Sequence, residues 1–287
     1  MMVTQLKPGL TMRTLSPVMG VEISGVDLSR PVDDATFAAI HDAFLRHLLV
    51  CFPGQHLDQT QHVAFSRRLG ELQVHVLDQY RSPTHPEIYV LSNVTKTGET
   101  TGEHPDKGTL IWHSDLSFQR RPALATLLYG IEVPRAGGDT LFANMYAAYD
   151  ALDAGMKRRI EGLRAIHDLD ASRQRAGAPP MTEAQRREAP PVDHPLVRTH
   201  PETGRKCLYV SHHAMRIEGM GDEEGKSLLG ALMDHATQPR FVYAHRWKQG
   251  ELVMWDNRCT MHRATGYDAK GERRVMNRTV VKGTVPE

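Results

Sequence analysis

Cysteine is scarce in this chain. The three that occur, Cys51, Cys207 and Cys259, stand far apart, each in an apolar stretch. An odd number without close spacing argues against a disulfide framework and against a structural zinc site. Buried free thiols in a reducing cytoplasm are the expectation. An excess of one charge is also missing. Lys and Arg number 35 against 34 Asp and Glu, for a net charge of +1. The basic residues are scattered, so neither nucleic acid nor an anionic membrane finds an electrostatic footprint. No apolar run reaches the length of a membrane span, and residues 1–9 lack the apolar core of a secretion signal. There is no internal repeat and no linker of shifted composition. The 287 residues, 40% hydrophobic and 24% charged, are therefore expected to form one globular domain spanning 1–287, located in the cytoplasm.

What the chain does have is histidine, 16 in all. Three His-x-Asp tripeptides occur, and their surroundings separate them. In His56-Leu57-Asp58, the aspartate precedes the apolar-periodic residues Val63, Phe65 and Leu69 and reads as a helix N-cap. His104-Pro105-Asp106 sits in a polar loop rich in glycine and proline. His113-Ser114-Asp115 is flanked by Leu110, Ile111 and Trp112 and by Leu116 and Phe118, the pattern of a buried strand over residues 110–118. Residues i and i+2 of a strand share a face, so His113 and Asp115 would converge. Two chemistries fit: a buried His–Asp hydrogen-bonded pair, or two ligands of a metal ion.

Two later residues bear on the choice. His262 follows the apolar strand of residues 252–255 and a turn at Asp256-Asn257. On its own it reads as a structural histidine. In residues 273–281, Arg274, Met276 and Arg278 share one strand face. A guanidinium can grip a carboxylate with two parallel hydrogen bonds; without such a partner, Arg278 is an exposed strand arginine. Two histidines and a carboxylate on one face of an Fe(II) ion leave half of its octahedral positions open, as O2-activating enzymes require.

At this point the chain resembles the taurine dioxygenase and 2,4-dichlorophenoxyacetate dioxygenase family of Fe(II)/2-oxoglutarate-dependent enzymes. The resemblance runs through residues 50–55, Trp112-His113-Ser114-Asp115, Gly137-Gly138-Asp139-Thr140, residues 194–201, Gly204-Arg205-Lys206, residues 254–258, His262 and residues 274–278. It implies that His113, Asp115 and His262 are the iron ligands. It also implies that Arg278 grips the far carboxylate of 2-oxoglutarate, that the Thr140 hydroxyl assists it, and that Arg274 lies near the metal-chelating end of the co-substrate. Without the resemblance, Thr140 is an ordinary strand-start threonine, although the Gly137-Gly138 turn would let its short side chain enter a pocket. The implied reaction uses O2 and 2-oxoglutarate, releases succinate and CO2, and hydroxylates a C–H bond beside a heteroatom in a small organic anion. A zinc hydrolase on the same three ligands and a non-catalytic binding protein are the alternatives from other classes.

The pattern also predicts the fold. Strands are expected at residues 18–26, 49–52, 87–94, 124–133 and 252–255, with others near Leu196, Leu208 and Phe241. Helices are expected after Asp33 or Asp34, over 59–69, 144–163 and 223–235. The sum is mostly β with peripheral helices, and the strand spacing says sandwich or barrel. The resemblance makes that a double-stranded β-helix, or jelly-roll, core. Residues 95–108 read as a lid-like loop and residues 170–191 as a surface insertion. For the substrate anion, His75 resembles a sulfonate-binding histidine of taurine dioxygenases, and His200, His213 and Arg216 are further candidates. The C-terminal half leans toward aryloxyalkanoates, which are the lead substrate class, with taurine or another sulfonate as the alternative. A homo-oligomer is the expected assembly.

Overall fold

Strand Leu252–Asp256 is buried along its whole length, and alternation explains why. Leu252 and Met254 pack with one apolar cluster, whereas Val253 and Trp255 pack with another. Strand Leu49–Phe52 splits the same way, Val50 and Phe52 to one side and Leu49 and Cys51 to the other. Successive side chains leave a strand on opposite faces, so a continuous apolar run marks a strand covered on both sides.

These two strands sit in the middle of an eight-stranded sheet in a computed structural model that describes residues 3–7, 9–74, 80–177 and 179–287. Its order is Val3–Lys7, Leu10–Thr14, Val21–Ser24, Leu49–Phe52, Leu252–Asp256, Ala123–Glu132, Val275–Lys282, Tyr89–Ser92. All neighbours are antiparallel except Val21–Ser24 against Leu49–Phe52. One face is covered by helices Asp34–His47 and Gln59–Ser66, through Ile40, Phe44, Val63 and Phe65. Both helices start at side-chain caps, Asp33 accepting from the Thr36 N–H and Asp58 forming a capping box with Gln61, which satisfies orphan donors of the first turn. The other face meets a three-stranded sheet, Val242–His245, Thr140–Asn144 and Thr260–Ala264, whose Phe142, Ala143 and Met261 interlock with Leu128, Val253 and Trp255. The two facing sheets form the expected jelly-roll core. Helix Asp222–Ala236 and two small sheets lie around its edge. None of the helices among the described residues is long and apolar enough to cross a membrane.

Two expectations need correction. Residues 110–118 are not a strand. Lys107–Leu110 is a 3-10 turn, His113 forms a single bridge with His262, and Leu116 is left-handed, with φ 56°. Side chains replace a strand partner here: Ser114 Oγ donates to the Asn257 carbonyl and the Asp115 N–H donates to Asn257 Oδ1. Residues 144–163 hold two helices, Met145–Asp150 and Ala154–Ile160, because Asp153 caps a new first turn by accepting from the Met156 N–H. Residues 170–191 are mostly exposed. Leu169 and Arg173 on helix Leu169–Arg175, Gln185 on helix Glu183–Glu188 and Met181 between the two line the main cavity.

Candidate active site

The site begins with a backbone exchange. The His113 N–H donates to the His262 carbonyl at 2.9 Å, and the His262 N–H donates back at 2.8 Å. The reciprocal pair sets the two residues opposite each other, with ring centroids 4.2 Å apart. His262 gets its position from strand Thr260–Ala264, paired to Thr140–Asn144 with His262 opposite Phe142. The Asp115 oxygens lie 3.8 Å from His113 Nε2 and 3.5 Å from His262 Nε2. All three residues are at most 6% exposed.

Hydrogen bonds fix which atoms face inward. A carbonyl only accepts, so His113 Nδ1, 2.7 Å from the Ile111 carbonyl, carries the proton and Nε2 presents a lone pair. Asp115 Oδ2 accepts from Thr126 Oγ1 at 2.6 Å, and Thr126 in turn accepts from Asn257 Nδ2 at 2.8 Å. Arg278 Nη1 lies 3.2 Å from Asp115 Oδ1. Burial alone would push the Asp115 carboxyl up. The Arg278 guanidinium, then the two imidazoles and the Thr126 hydroxyl, overcome burial and hold it well below the usual carboxylate range. Burial, then the neighbouring His113, holds His262 well below its ordinary value. An ionised carboxylate and a neutral imidazole therefore turn electron pairs toward each other in a buried space. A cation between them resolves that repulsion, and the nitrogen and oxygen donors suit Fe(II).

Among the described residues, two other buried clusters have metal-like composition, and both are closed. In Cys51, His245 and Glu251, Glu251 Oε2 takes the Lys248 N–H and the His245 ring, whose other nitrogen faces the Tyr243 hydroxyl. In His200, Asp256 and Cys259, Asp256 receives Arg258 Nε at 2.8 Å and Nη2 at 2.7 Å, and His200 Nε2 at 3.0 Å.

Two cavities meet at the triad. The larger, about 970 Å³ and open to solvent, has His113, Asp115 and Arg278 in its wall, together with Tyr80, Leu116, Phe118, Leu169 and Met181. The smaller, about 360 Å³, is lined by Thr140, His262, Arg274 and Arg278, with Leu91, Leu128 and Trp255. Trp247 Nε1 donates to Thr140 Oγ1 at 2.9 Å, which leaves the hydroxyl proton free to donate into that cavity. Arg274 is 3% exposed; burial pushes its pKa down to about 10, and its Nε has no partner among the described residues. Gly138, at φ +66°, gives it room: a Cβ there would meet Arg274 Nε at 3.5 Å and Pro134 Cγ at 3.0 Å.

Arg278 lies against Asp115 and also lines the small cavity, which it shares with Arg274, Thr140 and His262. Arg278 is on strand Val275–Lys282 and Arg274 stands at its entrance. The other expectations divide. His213 lines the large cavity, its Nδ1 3.0 Å from Ser117 Oγ, and burial keeps the ring neutral. His200 is taken up by Asp256 and by the backbone N–H groups of Glu202 and Thr203. Arg216 is exposed on strand Ala214–Ile217 and lines neither cavity. His75 lies outside the described residues. Sequence reasoning missed Thr126, Asn257 and Trp247. Their one signal was a polar or amphipathic residue inside an otherwise apolar segment.

Comparison with known proteins decides what this geometry belongs to. Residues 11–280 match the family model described as taurine catabolism dioxygenase TauD, TfdA family. The chain belongs to the TauD/TfdA dioxygenase family. It is 38% identical over 282 residues to an alpha-ketoglutarate-dependent 2,4-dichlorophenoxyacetate dioxygenase of Cupriavidus pinatubonensis, covering 94% of this chain and 97% of the relative. It is 36% identical to an (S)-phenoxypropionate/alpha-ketoglutarate-dioxygenase of Sphingobium herbicidovorans, with 97% and 96% covered. A crystal structure of AAD-2 in complex with Mn(II) and N-oxalylglycine superposes with TM-score 0.86 at 37% identity, covering 100% of this chain and 98% of that one. As a TauD/TfdA dioxygenase, the chain is a 2-oxoglutarate-dependent oxygenase, an oxidoreductase with Fe(II), 2-oxoglutarate and O2 as its cofactor set. Membership removes the zinc-hydrolase and non-catalytic alternatives.

Proposed function

We propose that the chain hydroxylates a carbon beside a heteroatom in a small anion of the aryloxyalkanoate class. In this reading His113, Asp115 and His262 hold Fe(II), and Arg274 with Thr140 grips the far carboxylate of 2-oxoglutarate. The iron centre supplies one chemistry when bound, the coupling of O2 reduction and 2-oxoglutarate decarboxylation, to succinate and CO2, to oxygen insertion into a C–H bond. The protein supplies position and dryness. Thr126 and Arg278 orient the Asp115 carboxylate. The Ile111 carbonyl fixes the His113 tautomer. Thr140 donates its hydroxyl proton to the co-substrate, pre-aimed by Trp247.

The observation that carries the substrate class is the wall of the large cavity. Leu116, Phe118, Leu169, Met181 and Tyr80 surround the His113–Asp115 face, and such a wall suits an aryl ring. A two-carbon sulfonate such as taurine would leave that apolar wall wet. The two relatives named for chlorinated phenoxyacetate and phenoxypropionate point the same way. The test is succinate release under Fe(II), ascorbate and O2 with a panel of aryloxyalkanoates, short carboxylates and sulfonates. Aryloxyalkanoates are expected to stimulate release most. A panel in which taurine or an alkyl sulfonate leads would overturn the reading.

A further inference from the structure

Two buried arginine–aspartate pairs in this chain differ in form. Arg258 forks Asp256, with Nε 2.8 Å from Oδ1 and Nη2 2.7 Å from Oδ2, the favoured grip of a guanidinium on a carboxylate. Arg278 is buried too, yet it meets Asp115 through one hydrogen bond, Nη1 to Oδ1 at 3.2 Å, and its Nε has no partner among the described residues. The Thr126 hydroxyl on Oδ2 does not explain the difference, because each carboxylate oxygen can accept twice. What sets Arg278 apart is the ring beneath it. Arg278 and Tyr89 stand opposite each other in the pairing of strands Val275–Lys282 and Tyr89–Ser92, so their side chains share a face. The guanidinium carbon lies 4.4 Å over the Tyr89 ring.

The ring is itself held. It stacks on Tyr80 with centroids 4.8 Å apart, and its hydroxyl donates to Asp106 Oδ2 at 3.1 Å. Asp106 belongs to His104-Pro105-Asp106, the His-x-Asp tripeptide of the 95–108 loop, and its other oxygen accepts the Gly108 N–H at 2.9 Å. A phenol that donates to a carboxylate has an electron-richer ring, which attracts a cation more strongly. We infer, on the reading that His113, Asp115 and His262 hold the metal, that Tyr89 is a positioning residue: it restrains Arg278 to a single contact with Asp115 and so keeps the carboxylate open to a divalent cation. Without the ring, the guanidinium would close on both oxygens, as Arg258 does on Asp256, and compete with the metal for the same electron pairs.

The test is Mn(II) binding to the full chain, read from the electron paramagnetic resonance of the free ion, with no co-substrate or substrate present. Tyr89→Met keeps bulk in the core but has no π face. It is expected to weaken Mn(II) binding at least about fivefold, whereas Tyr89→Phe, which keeps the face, should stay within about twofold of wild type. Tyr89→Leu carries the same expectation as Tyr89→Met and replaces it should that variant not fold. In an Arg278→Lys background, where the ammonium cannot fork a carboxylate, Tyr89→Met should change the affinity by less than about twofold. A Tyr89→Met protein that binds Mn(II) as tightly as wild type would overturn the inference. So would a loss that persists in the Arg278→Lys background, because it would mark a packing effect. Asp115→Ala, measured alongside, tests the metal reading itself: Mn(II) binding that survives it would overturn that reading and the inference together. Loss of the ion in Asp115→Ala with no change in Tyr89→Met would overturn the inference alone.

Discussion

Arg278 and Asp115 form a buried ion pair, Nη1 to Oδ1 at 3.2 Å, at a point where Asp115 already faces two imidazole nitrogens within 4 Å. The pair is what keeps a carboxylate ionised where burial would neutralise it. Removing one partner of a buried pair leaves the other charge uncompensated. Arg278→Gln is therefore expected to cost the metal-free protein about 3–5 kcal/mol. A bound divalent ion would supply the missing positive charge. Adding Mn(II) should accordingly raise the thermal midpoint more in the variant than in wild type. Equal shifts in both would mean that the guanidinium and the metal act on Asp115 independently.

Arg274 and Thr140 line the small cavity together, and each has a distinct partner pattern. Arg274→Gln is expected to raise the 2-oxoglutarate concentration for half-maximal turnover at least about thirtyfold, from a loss near 2 kcal/mol. Trp247→Phe removes only the donor that aims the Thr140 hydroxyl. Its cost should be near 1 kcal/mol, about fivefold. With Thr140→Val already in place, Trp247→Phe should add little to the 2-oxoglutarate requirement, since the hydroxyl it aims is gone. Full additivity of the two changes would break the proposed link.

The residues proposed to hold the metal were legible before the fold was, and the reasons are particular. His113 and Asp115 stand in an apolar setting that marks burial, and His262 sits at a motif spacing the family shares. What failed was local geometry. An apolar run such as residues 110–118 looks like a strand whenever it is buried, and only the bonds of Ser114 and Asp115 to Asn257 reveal a turn held by side chains. Arg274 and Arg278 share a face in any strand reading, so the sequence could not say which of them lies against Asp115. His200 looked available because its captor, the Asp256–Arg258 pair, is remote in sequence. The segment at 170–191 reads as surface because its seven charged residues outnumber the three side chains, Arg173, Met181 and Gln185, that line the cavity.

Gly137 tests the turn that delivers Thr140. Its φ is +73°, and a Cβ there would lie 2.5 Å from the Gly266 carbonyl oxygen. Gly54 has a similar φ of +63° with nothing among the described residues within 4 Å of the same position. Gly54→Ala should cost only the left-handed backbone penalty, about 1–2 kcal/mol. Gly137→Ala adds a backbone collision, for a total of about 2–5 kcal/mol. Urea midpoints for the two variants decide it. Equal destabilisation would show that the Gly137 turn relaxes freely.

The buried histidines make the fold acid-sensitive. His62 is fully buried on helix Gln59–Ser66, its Nε2 3.2 Å from Thr279 Oγ1, and burial pushes its pKa down to about 4. His167 and His194 move the same way, to about 3 and about 4, again chiefly by burial. The unfolded chain protonates these rings near pH 6.5, the folded one does not until about pH 4 or below, so the unfolded state binds more protons across that window. Stability is therefore whole above pH 6.5 and falls as the pH drops toward 4, by about 1.4 kcal/mol per pH unit for each ring. Between pH 7.5 and 5.0, His62 alone should account for about 2 kcal/mol of the loss. His62→Asn is expected to be less stable than wild type at pH 7.5 but to lose about 2 kcal/mol less on acidification, because one titrating ring is gone. Urea unfolding at the two pH values measures both quantities, and a variant whose pH dependence matches that of wild type would show that His62 titrates normally in the folded protein.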